Sequence, residues 1–166
     1  MNRKHQKLSK IKSQPIVIRR AIPNDGPEVC RFVFEISRSY GIEPEPQGLD
    51  ADVMEFGSTN DSSVTQWVAE FEGQVVGSVA LSHRENGVGW LSTLFVALRY
   101  RGHGIGRALL EQAVAEAGPR GYHRIDLETR QIYKEAIHLY ESSGWVRGPD
   151  LPPEDAMDRT YSLFLR

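Results

Sequence analysis

The sequence predicts an α+β fold: one domain holding a mixed sheet of six to seven strands flanked by about four helices. Three observations predict it. Apolar segments with a period of two alternate with segments of helical period along the chain. Two tight turns, Glu72-Gly73 and Asn86-Gly87, join consecutive strands, which must then be antiparallel. A strand, a Gly-rich turn, a helix and a further strand follow from Val88 to Thr129, a unit that calls for a parallel, right-handed crossover.

Pro15 to Arg20 alternates and is β-branched, giving a first strand. Pro23 to Pro27 is turn chemistry, with Asn24 or Asp25 as the expected N-cap. Val29, Phe32, Val33 and Ile36 recur at helical spacing, so a helix should run to about Arg38. Gly41 to Gly48 holds two prolines and reads as loop. Asp50 is the expected cap of a short helix carrying Val53, Met54 and Phe56. Strands are predicted over Trp67 to Phe71, Gln74 to Ser82 and Val88 to Val96. After the glycines, Ile105, Leu109, Leu110, Ala113, Val114 and Ala117 make a helix that Gly118-Pro119 stops. Tyr122 to Thr129 is a strand and Tyr133 to Ser142 a helix. Trp145 to Arg147 and Thr160 to Leu165 are expected to close the sheet around an acidic, Pro-rich loop. No internal repeat is visible.

A length of 166 residues, 40% hydrophobic and 25% charged, fits one soluble globular domain. Residues 1–14 read as a flexible basic tail, and 15–166 as the domain. The tail lacks an apolar stretch, so it is not a secretory signal. No apolar run reaches the roughly 20 residues that span a bilayer, so no membrane partner is expected. Cys30 is the only cysteine; neither a disulfide nor a metal site is expected, and a reducing cytoplasm fits. No nucleic-acid partner is expected either. Charge is uneven along the chain. From Ser39 to His83 there is no Lys or Arg, whereas Arg84, Arg99, Arg101, Arg107, Arg120, Arg124, Arg130 and Lys134 follow by His138. One half suits a cation and the other an anion.

The anion side centres on Arg101-Gly102-His103-Gly104-Ile105-Gly106. A helix start leaves backbone N–H groups unpaired and carries partial positive charge. Glycines let the backbone approach a phosphate closely and adopt positive φ. Arg101 and Arg107 add charge at the same end. A P-loop would need Lys and Ser/Thr after the last glycine, where Arg107-Ala108 stands. A dinucleotide fingerprint would need a small residue at Arg107 or Leu109, depending on the register. Asp126 does imitate the ribose-binding acid of that fingerprint, but the chain holds one such unit, not two.

The stretch from Leu94 to Leu110 resembles the cofactor motif of the GNAT family of N-acetyltransferases, whose Q/R-x-x-G-x-G/A pattern matches Arg101, Gly104 and Gly106. A second block, Leu127-Glu128-Thr129 with Ala136, Leu139-Tyr140-Glu141 and Gly144-Trp145, is similar to the end of the same motif set. The resemblance runs from Val17 to Leu165. It implies a sheet splayed at an acetyl-CoA site, with acetyl-CoA as cosubstrate. Amides from Gly102 through His103, Gly104, Ile105 and Gly106 to Arg107 would hold its pyrophosphate. The main chain of Leu94, Phe95 and Val96 would pair with its pantetheine arm. Tyr140 matches the family's tyrosine near the thioester sulfur and is the candidate general acid.

Two positions depart from the family pattern. Trp90 stands where many members have a Glu base, and Tyr133 where many have Asn. Glu128, His83 and Glu70 are replacement bases by position alone, and water is a further route. In this family the acceptor enters between the first two helices and the last strand pair, and both regions are acidic here. Glu43, Glu45, Asp50, Asp52 and Glu55 mark one; Asp150, Glu154, Asp155 and Asp158 mark the other. The resemblance therefore implies transfer of acetyl to a primary amine of a small molecule or peptide, and the charge asymmetry alone makes a cationic acceptor the expectation. The alternative is a non-catalytic acyl-CoA-binding or sensing module on the same fold. A homodimer is left open.

Overall fold

The structure is a computed structural model that describes residues 15–166. The expected basic tail, 1–14, lies outside the described residues. In chain order the elements are β1 (Val17–Arg20), α1 (Gly26–Ser39), α2 (Ala51–Met54), β2 (Val64–Phe71), β3 (Gln74–Arg84), β4 (Val88–Val96), α3 (Ile105–Ala117), β5 (Arg124–Thr129), α4 (Lys134–Ser142), β6 (Val146–Arg147) and β7 (Arg159–Phe164). They form one open mixed sheet of seven strands, ordered β1-β2-β3-β4-β5-β7-β6. β4 and β5 are the parallel pair, joined by α3 as the crossover unit requires. Both predicted hairpin turns take positive φ at each central residue: Glu72 and Gly73, Asn86 and Gly87.

Two apolar clusters pack on opposite faces of the sheet. α3 and α4 cover one, which contains Leu109, Leu110, Ile125, Leu127 and Tyr161. α1 covers the other with Val29, Phe32, Val33 and Ile36, the stripe its periodicity predicts, against Phe56, Val68 and Ala80. Gly77 on β3 lets α3 sit close: a Cβ there would lie 2.9 Å from Leu109 Cδ1 and 3.2 Å from Ile105 Cγ2.

Three details differ from expectation. β2 begins at Val64 rather than Trp67, because Val64 to Gln66 find partners in Ser82 to Ala80 of β3. Asp25 stands at the N-cap of α1 without capping it. Its carboxylate instead accepts bonds from Arg19 at 2.8 and 2.9 Å and from the Ile22 amide at 2.8 Å. Asp50 likewise precedes α2 but turns back to accept from the Glu45 amide at 2.8 Å, closing its own loop. No described helix is long and apolar enough to cross a membrane.

Candidate active site

The site begins with a fault in β4. Ser78 pairs with Phe95 and Ala80 with Ser92, so Thr93 and Leu94 together oppose Val79 alone. Thr93 takes φ 52°, and the buried Ser78 hydroxyl donates to its carbonyl at 2.8 Å. On the other side, pairing with β5 ends at Trp90 and Asp126. β4 and β5 therefore diverge beyond Trp90. Leu94, Phe95 and Val96 line a cavity of about 750 Å³, and pairing with β5 does not extend to them.

The glycine turn closes one end of this cavity. Gly102 and Gly104 have φ of 77° and 80°, and a Cβ at either would meet nothing within 4 Å. Glycine is needed there for its backbone, and the space beside it is open. Gly104 caps α3, whose hydrogen bonds begin with the Ala108 amide donating to the Gly104 carbonyl at 3.0 Å. The amides of Ile105, Gly106 and Arg107 precede that bond and have no intrahelical partner. Such a cluster at a positive helix end suits an anion. Of the residues singled out in the sequence for this role, His103 is outside the cavity wall; the others line it.

The two arginines of the turn also have work within the protein. Arg101 donates to the Val96 carbonyl at 3.4 Å and to the Tyr40 hydroxyl at 3.2 Å. Arg107 donates to Ser143 and Ser142, at 3.0 Å each, at the C-terminal end of α4. That end carries partial negative charge, which the guanidinium complements.

Tyr140 lines the same cavity from α4. It is 5% exposed and packs on Trp145 and Tyr161, with ring centroids 5.6 and 5.8 Å away. Its hydroxyl has no protein partner among the described residues. Burial pushes its ionisation well above the ordinary tyrosine range, so it stands as a neutral phenol at physiological pH. Such a group can donate a hydrogen bond or proton into the cavity.

The replacement bases part company. Glu128 lines the cavity with Tyr140. Glu70 is bound to Arg19 at 2.7 Å, and His83 stacks on Tyr122 at 5.7 Å; neither belongs to the cavity wall. Trp90 does belong, with the Arg84 guanidinium 4.1 Å over its ring.

The acidic regions separate as well. Glu43, Glu45, Asp50 and Asp52 line the cavity, and Glu55 does not. The acidic residues of the Pro-rich loop stay outside it. Asp150 pairs with Arg147 at 2.8 Å and Arg159 at 3.4 Å, and Asp158 accepts from the Gln131 amide at 2.6 Å. Local partners hold Asp150 and Asp158 of that loop, and on the cavity side Glu43 meets Arg38 at 3.4 Å.

Tyr40, at the end of α1, had no signal in the sequence beyond its place after a helix. In the fold its hydroxyl donates to Glu135 at 2.8 Å, and its ring meets Tyr133 edge-on at 5.0 Å. Tyr133 in turn lies 6.2 Å from Phe95. These rings form a wall that crosses from α1 to α4.

Comparison with known proteins places this arrangement. Residues 30–145 match the model of the acetyltransferase (GNAT) family. The chain belongs to the GNAT family. It is 30% identical over 144 residues to the uncharacterized N-acetyltransferase YjgM of Escherichia coli, an alignment covering 83% of this chain and 86% of that protein. It is also 38% identical over 80 residues to human N-acetylaspartate synthetase, covering 48% of this chain and 26% of that protein. Among solved structures, a GNAT acetyltransferase from Staphylococcus aureus superposes with a TM-score of 0.81 at 23% identity, over 92% of this chain and all of that one. The PaiA N-acetyltransferase of Thermoplasma acidophilum, in complex with coenzyme A, superposes with a TM-score of 0.72 at 15% identity, over the same shares. Family membership and the N-acetyltransferase relatives identify this GNAT protein as an enzyme of the N-acetyltransferase class.

Proposed function

We propose that the protein transfers an acetyl group from acetyl-CoA to a primary amine of cationic character, by direct attack of the amine on the thioester. One observation carries the reading: the unpaired amides of the glycine turn, the open edge of β4 and the unpartnered Tyr140 hydroxyl all meet in one cavity. The residues present fit acetyl-CoA. The amides of Ile105, Gly106 and Arg107 would hold its pyrophosphate. The open main chain of Leu94 to Val96 would pair with its amide-bearing arm as an added strand would. Acetyl-CoA supplies an acyl group already activated as a thioester.

The protein's own residues supply the rest. A new C–N bond forms as the C–S bond breaks, one proton leaves the amine, and one is gained by the departing thiolate. Tyr140 is the donor toward that sulfur. Its environment keeps the phenol neutral, so the proton stays in position until negative charge develops. Glu128 is the carboxylate that faces the amine and draws its proton away. Glu43, Glu45, Asp50 and Asp52 give the acceptor end a negative potential, which favours cations.

The test is thiol release from acetyl-CoA over a panel of amines, with wild type and Tyr140→Phe. Release that needs an amine and falls in the variant supports the reading. Acetyl-CoA binding without release on any amine would support the binding-module alternative. Strong turnover of an acidic amino acid, with none of other amines, would remove the cationic acceptor.

A further inference from the structure

Arg130 stands one residue beyond β5 and lines the cavity, half-buried. Other arginines of the wall are committed, Arg101 to Val96 and Tyr40, Arg107 to Ser142 and Ser143. Arg130 has no hydrogen bond or ion pair from its guanidinium among the described residues. It lines the cavity together with Tyr133, Asp50 and Glu128, the residues of the acceptor end.

Strand alternation sets Asp126, Glu128 and Arg130 in one series. Asp126 is used up, accepting from Ser162 at 2.7 Å and pairing with Arg124 at 2.9 Å. Glu128 has no partner among the described residues. A free carboxylate and a free guanidinium thus stand two residues apart, their Cα atoms separated by roughly 7 Å at strand rise. The same spacing lets Arg124 and Asp126 pair at 2.9 Å, but Glu128 and Arg130 form no such pair among the described residues, which leaves each available to a ligand that carries both charges. A guanidinium takes a carboxylate through two parallel N–H···O bonds, a geometry an ammonium side chain cannot copy.

We propose that the acceptor is an amino acid, with its carboxylate on Arg130 and its amine toward Glu128 and the Tyr140 hydroxyl. This rests on the reading of the cavity as an N-acetyltransferase site. Glu43, Glu45, Asp50 and Asp52 then bear on the acceptor's side chain, which they select to be basic, in keeping with a cationic acceptor, and not acidic. An internal peptide lysine, which has no free carboxylate, is a poor substrate.

Matched pairs test it. Thiol release from acetyl-CoA is measured with leucine against 3-methylbutylamine, tyrosine against tyramine and lysine against cadaverine. Wild type, Arg130→Gln and Arg130→Lys are compared. Wild type should prefer the amino acid of each pair, chiefly through KM. Arg130→Gln should reduce that preference by about 10- to 100-fold, the worth of a charged hydrogen-bonded contact, and Arg130→Lys should restore part of it. Equal or better use of the decarboxylated twins by wild type overturns the proposal, as does an Arg130→Gln ratio that matches wild type. Absence of release from every amine and amino acid strikes the N-acetyltransferase reading instead. Calorimetric binding of leucine against 3-methylbutylamine then decides the carboxylate contact by itself: tighter leucine binding that Arg130→Gln abolishes upholds it, and equal binding overturns it.

Discussion

The half of the cleft proposed for acyl-CoA is made of main chain, and the half proposed for the amine is made of side chains. The first consists of the Gly104 helix cap, the unpaired amides after it and the unpaired edge of β4. The second consists of Tyr40, Tyr133, Glu128 and Arg130 with the acidic loop after α1, drawn from segments far apart in sequence. Main chain recognises what every acyl-CoA shares, its phosphates and amides. Side chains recognise what differs from one acceptor to the next. The halves can be tested separately, because substitutions in one should leave the other's constant alone.

The largest effect is expected where the halves meet. Tyr140→Phe should lower kcat by about 10²- to 10⁴-fold, with little change in acetyl-CoA affinity or in thermal stability. Stability is spared because the hydroxyl has no partner to lose among the described residues. The pH profile sharpens this. In the proposed mechanism the neutral phenol is the active form, and burial raises its ionisation, so activity should persist through the ordinary tyrosine range near ~10 and fall only above it. An alkaline limb near pH 8 that vanishes in Tyr140→Phe would contradict it.

Next comes the main-chain half. Gly104→Val forces a β-branched residue to φ 80°, at about 1–2 kcal/mol, and puts a side chain in the space beside the amides. Acetyl-CoA affinity by calorimetry should fall on the order of 100-fold, with circular dichroism unchanged. Affinity equal to wild type would remove the glycine turn from the donor site. On the side-chain half, Glu128→Gln should lower kcat/KM for the amine about tenfold and leave acetyl-CoA binding as it was. An effect on both constants alike would break the division. The smallest effect is Tyr40→Phe, which loses the bonds to Glu135 and Arg101. A Tm decrease corresponding to about 0.5–1.5 kcal/mol is expected.

The same division explains what could be read in advance. β4 from Val88 to Val96 and α3 from Ile105 to Ala117 were legible because local period, glycines and stops all agree there. The glycine turn was legible because backbone conformation is written in residue type. The bulge at Thr93 was not, since Thr has no preference for φ 52° and is held by Ser78 from another strand. Nor was the insertion of β7 between β5 and β6, which local pattern does not encode. The two acidic regions looked alike in sequence. Only the fold distinguishes the one on the cavity from the one outside it, where Asp150 pairs with Arg147 and Arg159. In the sequence Arg130 is one more basic residue; only the fold shows that no described residue pairs with its guanidinium.

Gly77 has a consequence for how the anion end behaves in time. By admitting Leu109 and Ile105 so close to β3, it pins the first turn of α3 to the middle of the sheet, with both side chains fully buried. The amides beside Gly104 are consequently aimed during folding, not by the arriving ligand. Capture there should be close to lock-and-key: fast, with little loss of chain entropy and no folding signature in its heat capacity. Replacing Gly77 by Ala should weaken the proposed phosphate contacts without touching them, by tilting the helix that would point at them.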